Sequence, residues 1–235
     1  MSEPEHAAGA GAPRDESDRG LPAESFRRVD ESPDARFYVS PRLVEHIDAG
    51  AISAVTQLHR EYLPPGGAIL DLMSSWVSHL PPEVAYGRVA GLGMNAAELA
   101  ANPRLTERVV QDLNANPQLP FPGGAFDAAT ICVSVQYLTR PDAVLREVGR
   151  VLRPGGAVVI TFSNRCFPTK AVAIWRALDD AGHARLVERY LRAAGGWEAI
   201  EALDRSPRAA RGGPGDPLYA VVARRAGDGQ QATGN

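Results

Sequence analysis

The sequence predicts an α/β domain built on a mostly parallel sheet that helices cover on both faces. Short runs rich in valine and isoleucine alternate with stretches whose apolar residues recur at helical spacing. The strand-like runs are apolar at consecutive positions, which is typical of parallel strands buried on both faces. Ligands of such sheets bind beyond the carboxyl ends of the strands. The loops that follow the strands are therefore expected to carry the functional site.

The first half of the chain predicts three helices and three strands. Apolar residues at helical spacing predict a helix over Leu43–Tyr62, which the sequence Pro-Pro-Gly-Gly at 64–67 ends. Ser74–Leu80 is expected to form a helix with Ser74 or Ser75 as its N-cap. A further helix runs through Ala96, Leu99 and Ala100. Apolar runs predict strands at Ala68–Leu72, Arg88–Leu92 and Arg108–Gln111.

The second half continues the alternation. An amphipathic pattern predicts a helix over Pro141–Leu152, and the Pro-Gly-Gly at 154–156 predicts a tight turn after it. Residues 171–193 are predicted to be helical. Strands are predicted at Ala125–Ser134, Ala157–Phe162 and Leu218–Ala223.

Length and composition indicate one domain between two tails. The chain has 235 residues, of which 44% are hydrophobic, enough for one α/β domain and short for two. Residues 1–23 and 226–235 contain mainly glycine, alanine, proline and charged residues. Such segments bury too little apolar surface to offset their ordering entropy. We therefore expect a domain over 24–225 and disorder in both tails.

Composition also narrows the location and the partners. The formal net charge of −3 argues against general nucleic-acid binding, which requires a basic face. No apolar run approaches the roughly 20 residues that span a bilayer, and the acidic N-terminus lacks the apolar region of a secretory signal. Cys132 and Cys166 form no C-x-x-C pair, so a reducing, cytoplasmic location is expected. Abundant alanine, glycine and proline, with Lys170 as the single lysine, suggest a GC-rich bacterial source.

Residues 126–164 carry the most informative motifs. They have the sequence FDAATICVSVQYLTRPDAVLREVGRVLRPGGAVVITFSN. A Phe-Asp that opens a strand, followed by Arg-Val-Leu-Arg-Pro-Gly-Gly before the next strand, resembles class I S-adenosylmethionine-dependent methyltransferases of the small bacterial kind. The resemblance covers about residues 65–165. It implies a Rossmann-like fold, S-adenosylmethionine as cofactor and transfer of a methyl group to a small-molecule acceptor.

The resemblance assigns cofactor contacts to the loop after the first strand. The family has an acidic residue followed by spaced glycines here; Asp71 matches the acid, whereas Met73, Ser75 and Val77 replace the glycines. Ser74 and Ser75 are expected either to contact the methionine carboxylate or only to cap the next helix.

Three further loops complete the implied cofactor site. Asn95 follows the second strand and either contacts the ribose or caps a helix. Asp112 and Leu113 correspond to the family's adenine contacts, with the turn role as the alternative for Asp112. Gln136 and Tyr137 lie where the family places the sulfonium and the acceptor, although Tyr137 is equally compatible with ordinary packing.

The acceptor is expected to contact the segment that follows the fifth strand. Residues 163–170 combine polar groups with one large apolar residue, a mixture typical of a pocket wall; the alternative is a loop that only caps the next helix. The candidates for acceptor binding are Tyr38, Tyr137, Asn164, Arg165, Phe167 and Lys170. The possible general bases are His46, His79 and Tyr38, and the sequence assigns none of them.

Two alternative functions stay open. Residues 91–96, GLGMNA, match the G-x-G-x-x-A fingerprint of nicotinamide-dependent oxidoreductases, and Asp112 lies about 20 residues further on. The missing glycines of the first loop also allow a cofactor-binding protein without catalysis. The five histidines show no metal-ligand spacing, so no metal is expected.

Overall fold

The computed structural model describes residues 20–207 and 215–227. Their central feature is a seven-stranded sheet with the strand order β3-β2-β1-β4-β5-β7-β6. Strands β1 to β5 are parallel, whereas β7 pairs antiparallel with β5, and β6 pairs antiparallel with β7. The strands are β1 (Ala68–Leu72), β2 (Arg88–Gly93), β3 (Glu107–Val110), β4 (Phe126–Cys132), β5 (Leu152–Phe162), β6 (Trp197–Asp204) and β7 (Tyr219–Arg225).

Helices cover both faces of the sheet, as the sequence predicted. Alternate residues of β1 point to opposite faces, with Leu70 in one apolar cluster and Ile69 in the other. Helices α4, α5 and α6 pack in the cluster of Leu70, and α2 and α3 in that of Ile69. The helices are α1 (Asp34–Phe37), α2 (Ala49–Tyr62), α3 (Ala96–Ala101), α4 (Pro141–Val151), α5 (Ala173–Arg176) and α6 (Asp180–Ala194).

The bounds of two predicted helices differ from the structure, because capping residues start the helices later in the chain. Helix α2 begins at Ala49 instead of Leu43, because Asp48 accepts a hydrogen bond from the Ala51 N–H and so starts the helix. The predicted helix over 171–193 is two helices, α5 and α6, since Asp179 caps the N-terminus of α6 in the same way. Leu43 is consequently exposed in an irregular segment instead of buried on a helix.

Two further elements differ from the prediction. The predicted helix over Ser74–Leu80 is absent, and this stretch is irregular. Strand β6 was not predicted, because this edge strand buries no side chain and so carries no continuous apolar run. Its partner β7, buried along most of its length, was predicted.

The described ends of the chain extend a few residues into both predicted tails. Within the predicted N-terminal tail, Leu21 packs against the core, so the ordered chain begins before residue 24. At the other end, the Ala226 N–H donates to the Gly196 carbonyl. Residues 1–19 and 228–235, for which disorder was predicted, lie outside the described residues. In the described part of the chain, no helix combines the length and apolar character needed to span a membrane.

Candidate active site

A cavity of about 310 Å³ opens at the carboxyl ends of the parallel strands, where the sheet topology predicts a ligand site. Its floor is formed by the residues that follow β1, β2, β3 and β4. Residues that follow β5 form one wall, and an N-terminal segment, residues 30–48, forms the other. The N-terminal segment contributes Tyr38, Arg42 and His46.

The loop after β1 keeps a tight turn without glycine. Met73 has a φ of 55°, a left-handed conformation that costs a non-glycine residue about 1 kcal/mol or more. The next residue, Ser74, donates its N–H to the Leu92 carbonyl over 2.8 Å. Gly93 allows this approach, since a Cβ there would lie 2.1 Å from the Ser74 carbonyl oxygen. The glycine that brings the loop close is therefore on β2 instead of in the loop.

Asp71 positions this loop and does not line the cavity, so its predicted cofactor contact is not supported. The carboxylate is buried and accepts hydrogen bonds from the hydroxyls of Ser74, Ser78 and Thr130 over 2.6, 2.6 and 3.2 Å. Burial raises the pKa of Asp71, and the three hydroxyl donors oppose that rise. These bonds also replace the helix expected over Ser74–Leu80, because they fold the loop back onto β1.

Asn95 caps helix α3, which is the second of its two predicted roles. Its Oδ1 accepts from the N–H groups of Ala97 and Glu98, and its Nδ2 donates to the carbonyls of Tyr38 and Val39. The side-chain amide thus has protein partners on both atoms, and Asn95 does not line the cavity. The predicted ribose contact is therefore not supported.

Glu98, which the sequence analysis did not select, lines the cavity instead. Its Oε2 accepts from the Ser75 hydroxyl over 2.7 Å, and its Oε1 accepts from the Arg42 N–H over 2.7 Å. Glu98 therefore ties the loop after β1 to the N-terminal segment. The only sequence signal was a carboxylate in the first turn of α3.

Ser74, Ser75, Asp112 and Leu113 line the cavity, as expected of cofactor contacts. Asp112 Oδ1 accepts from the N–H groups of Asn114 and Ala115, so this residue also shapes the turn after β3. Its Oδ2 receives no hydrogen bond from the residues that the structure describes and is the oxygen left for a ligand.

An aromatic wall faces these polar loops; it consists of Phe37, Tyr38, His46, Tyr137 and Phe167. The centroid of the Phe167 ring lies 5.3 Å from the ring centroids of Phe37 and His46 and 5.9 Å from that of Tyr137. The Tyr137 hydroxyl accepts from the Phe167 N–H over 2.9 Å, which fixes the loop after β5 to the loop after β4. Gln136 is buried outside the cavity lining and donates to the Val133 carbonyl, so its predicted cofactor contact is not supported.

The segment after β5 supplies two of the four predicted acceptor residues. Arg165 and Phe167 line the cavity, and the Arg165 guanidinium pairs with Asp216 over 2.7 Å. Asn164 is exposed and outside the lining, so no acceptor contact is supported for it.

Lys170 is fully buried and holds the N-terminal segment, so its predicted contact with the acceptor is not supported. Its Nζ lies 3.1 Å from carboxylate oxygens of Asp30 and of Asp34 and donates to the Ser32 carbonyl over 2.8 Å. Burial alone would raise the pKa of Asp34, but donors from Arg28, Asn114 and Lys170 outweigh it and lower the pKa. An ammonium suits this enclosed point contact better than a planar guanidinium.

Of the three possible bases, His46 has the most suitable environment. Partial desolvation lowers the pKa of His46, an exposed residue at the edge of the cavity, and so favours its neutral imidazole. Burial also raises the pKa of Tyr38 and brings that of Tyr137 to about 12, which keeps both phenols protonated. His79 does not line the cavity. The described residues contain no group of three or more histidine, cysteine or acidic side chains arranged to hold a metal.

The structure also accounts for the glycines of the G-x-G-x-x-A sequence. Gly91 and Gly93 lie within β2, where a Cβ on Gly91 would come within 2.4 Å of Leu105. Both glycines are therefore required by packing inside the protein, and β2 follows another strand of the sheet. The glycines therefore give no structural support for a dinucleotide-binding site at this position.

Comparison with known proteins agrees with this geometry. Residues 74–160 match the family model described as a methyltransferase domain. The ubiquinone/menaquinone biosynthesis C-methyltransferase UbiE of Shewanella sp. (strain ANA-3) is 34% identical over 108 residues. That alignment covers 41% of this chain and 42% of the Shewanella protein, so the chain spans less than half of the length of this relative.

Solved structures share the fold at low sequence identity. The [4+2]-cyclase SpnF is 20% identical, with a TM-score of 0.57 over 82% of this chain and 91% of that one. The geranyl diphosphate C-methyltransferase of Streptomyces coelicolor A3(2), in complex with S-adenosylhomocysteine, is 16% identical, with a TM-score of 0.52 over 74% and 76% of the two chains. Residues 74–160 therefore match a methyltransferase domain, and the parallel sheet with a cavity at its carboxyl edge has the fold of the solved methyltransferase structures.

Proposed function

We propose that this protein transfers the methyl group of S-adenosylmethionine to a small-molecule acceptor with a flat, apolar body. The observation that carries the proposal is that the cavity combines a set of polar floor residues, Ser74, Ser75, Glu98 and Asp112 (the polar floor), with the aromatic wall. Small-molecule sites combine such apolar surface with a few placed polar groups. The name of the Shewanella relative supports carbon as the atom that receives the methyl group.

The polar floor fits the cofactor. Asp112 offers a free carboxylate oxygen for an amino group, and Leu113 lies beside it in the cavity lining. Ser74, Ser75 and Glu98 provide further hydroxyl and carboxylate groups in the lining of the cavity. When bound, S-adenosylmethionine supplies a methyl group already activated by the sulfonium.

The chain's own contribution is to orient the acceptor and to accept a proton. The rings of Tyr38, Tyr137 and Phe167 exclude water from one side of the acceptor and restrict its orientation. The neutral imidazole of His46, at the edge of the same wall, takes the proton that the acceptor loses.

A cofactor-binding protein without methyl transfer is the second candidate. Two observations favour it: the strained Met73 in place of glycine, and a cyclase among the proteins of the same fold. A fold shared at this level does not determine the reaction.

Two measurements separate these functions. Calorimetric titration with S-adenosylmethionine, S-adenosylhomocysteine and NADH tests the cofactor, and the proposal expects binding of the first two only. Methyl-labelled cofactor is then incubated with the protein and a metabolite extract, and labelled products are identified by mass spectrometry. Binding without any labelled product supports the second candidate, whereas preferential binding of NADH contradicts both.

Asp112 gives the first mutational prediction. Loss of a hydrogen bond to a charged group costs about 1–3 kcal/mol, so Asp112→Ala is expected to weaken S-adenosylhomocysteine binding about five-fold to a hundred-fold. Asp112→Asn is the matched control, because its Oδ1 can still accept from Asn114 and Ala115 while its second atom becomes a donor. We expect Asp112→Asn to keep the melting temperature and still lose affinity. Unchanged affinity in both variants would rule out the adenine contact.

A further inference from the structure

Arg42 lines the cavity, and its guanidinium forms no ion pair within the described residues. Its guanidinium lies over the ring of Phe37 at 4.4 Å and close to the rings of Tyr38 and Phe167, at 5.6 and 5.5 Å. None of the ion pairs within the described residues includes Arg42. The guanidinium is thus held by aromatic faces at a fixed place in the aromatic wall.

The hydrogen bonds of Arg42 leave one buried nitrogen of its guanidinium without an acceptor. Its Nη2 donates to the Phe37 carbonyl over 2.8 Å, and its main-chain N–H donates to Glu98. Its Nη1 is buried and has no hydrogen-bond partner. A buried charged donor without an acceptor is costly, so such a group in a ligand cavity indicates a missing acceptor.

The other cations near the cavity already have partners. Arg165 pairs with Asp216, while Arg28 and Lys170 share Asp34. Arg42 therefore differs from them because its guanidinium has no acidic partner in the part of the chain that the structure describes. An anionic group of a ligand would supply that partner. A guanidinium matches the geometry of carboxylate and phosphate groups, to which it donates more strongly than to neutral acceptors.

We propose that Arg42 binds an acidic oxygen of the acceptor, so that the acceptor is an organic acid, a carboxylate or a phosphate, with an aromatic or similarly flat body. This inference rests on the proposed function, because it assigns an acceptor to the aromatic wall. The body of the acceptor lies against Phe167 and Tyr38, and its acid group binds the guanidinium of Arg42, which lines the cavity.

The test uses the full-length protein saturated with S-adenosylhomocysteine and titrated with benzoate or benzamide, two flat probes that differ in charge. Binding is followed by NMR. We expect the wild type to bind benzoate about ten-fold to a hundred-fold more tightly than benzamide. Arg42→Met should remove this preference, and Arg42→Lys, which keeps the charge but not the planar fork, should retain part of it. Equal binding of both probes to the wild type, or an unchanged preference in Arg42→Met, would overturn the proposal.

A second comparison separates the acceptor from the cofactor as the source of the acid group. S-adenosylhomocysteine contains a carboxylate, whereas 5′-methylthioadenosine lacks it. We expect Arg42→Met to bind each with wild-type affinity within about two-fold, since Arg42 serves the acceptor. A selective loss of S-adenosylhomocysteine binding would assign Arg42 to the cofactor and overturn the proposal. If the wild type binds neither nucleoside, the proposed function itself fails, which is a different result.

Discussion

Gly93→Ala is expected to destabilise the protein by about 3 kcal/mol, the upper end of the usual cost of overpacking a core. The added Cβ would lie 2.1 Å from the Ser74 carbonyl oxygen, which belongs to the backbone and cannot rotate away. The loop after β1 must then move, and the hydrogen bond from the Ser74 N–H to the Leu92 carbonyl is lost. Because Ser74 and Ser75 line the cavity, affinity for S-adenosylhomocysteine should fall with stability.

Gly149→Ala is the matched control for this substitution. Gly149 lies inside helix α4, and a Cβ there would meet Trp197 at 3.5 Å, an ordinary van der Waals contact. Alanine in place of glycine in a helix interior is favourable by about 0.5–1 kcal/mol, so this variant should be slightly more stable than the wild type. Urea denaturation measures both free energies of unfolding. Wild-type stability and affinity in Gly93→Ala would show that β2 and the loop do not approach this closely.

The sequence was sufficient to predict the parts of the fold that are buried on both faces. Residues 68–72 are apolar at four of five positions because β1 lies inside the sheet, and its bounds were predicted without error. The edge strand β6 was missed for the opposite reason, since its residues are partly exposed and include charges. Hydrophobic pattern reports burial, so it fails where an element gains its stability from strand pairing alone.

For the candidate site, the sequence predicted the position of the loops but not the role of each side chain within them. Loops that follow strands were correctly expected at the cavity, because the topology of a parallel sheet places them there. What a side chain does within a loop depends on which neighbour satisfies it. Asn95 and Lys170 were polar residues at suitable positions, yet main-chain carbonyls or acidic side chains of the N-terminal segment occupy both of them.

Most of the site contacts that could not be predicted from the sequence involve the N-terminal segment. Arg42 and Glu98 are 56 positions apart, and no local pattern relates them. The Arg42 N–H nevertheless binds the Glu98 carboxylate, and this contact brings Arg42 to the aromatic wall. Long-range hydrogen bonds of this kind complete the cavity without leaving a periodic signal in the sequence.

His46→Asn is expected to lower kcat about a hundred-fold or more, because the proposed proton acceptor is removed. Affinity for S-adenosylhomocysteine should stay within about two-fold, since the imidazole belongs to the aromatic wall and not to the polar floor. His79→Asn is the matched control: desolvation also lowers the pKa of His79, but this residue does not line the cavity. We expect its kcat to remain close to that of the wild type.

The pH dependence distinguishes a proton acceptor from a residue that only packs against the acceptor. A general base acts in its neutral form, so activity is lost when pH falls through its pKa and is constant above it. Partial desolvation, reinforced by the charge of Arg42 and opposed by Glu98, lowers the pKa of His46 below its ordinary value of 6.5. The wild-type kcat/KM, measured with labelled cofactor and the active fraction of the metabolite extract, should therefore rise with pH to a plateau, with its midpoint below 6.5. His46→Asn should lose this rise, and His79→Asn should keep it. A His46→Asn variant with wild-type kcat and the same acidic limb would exclude His46 as the base.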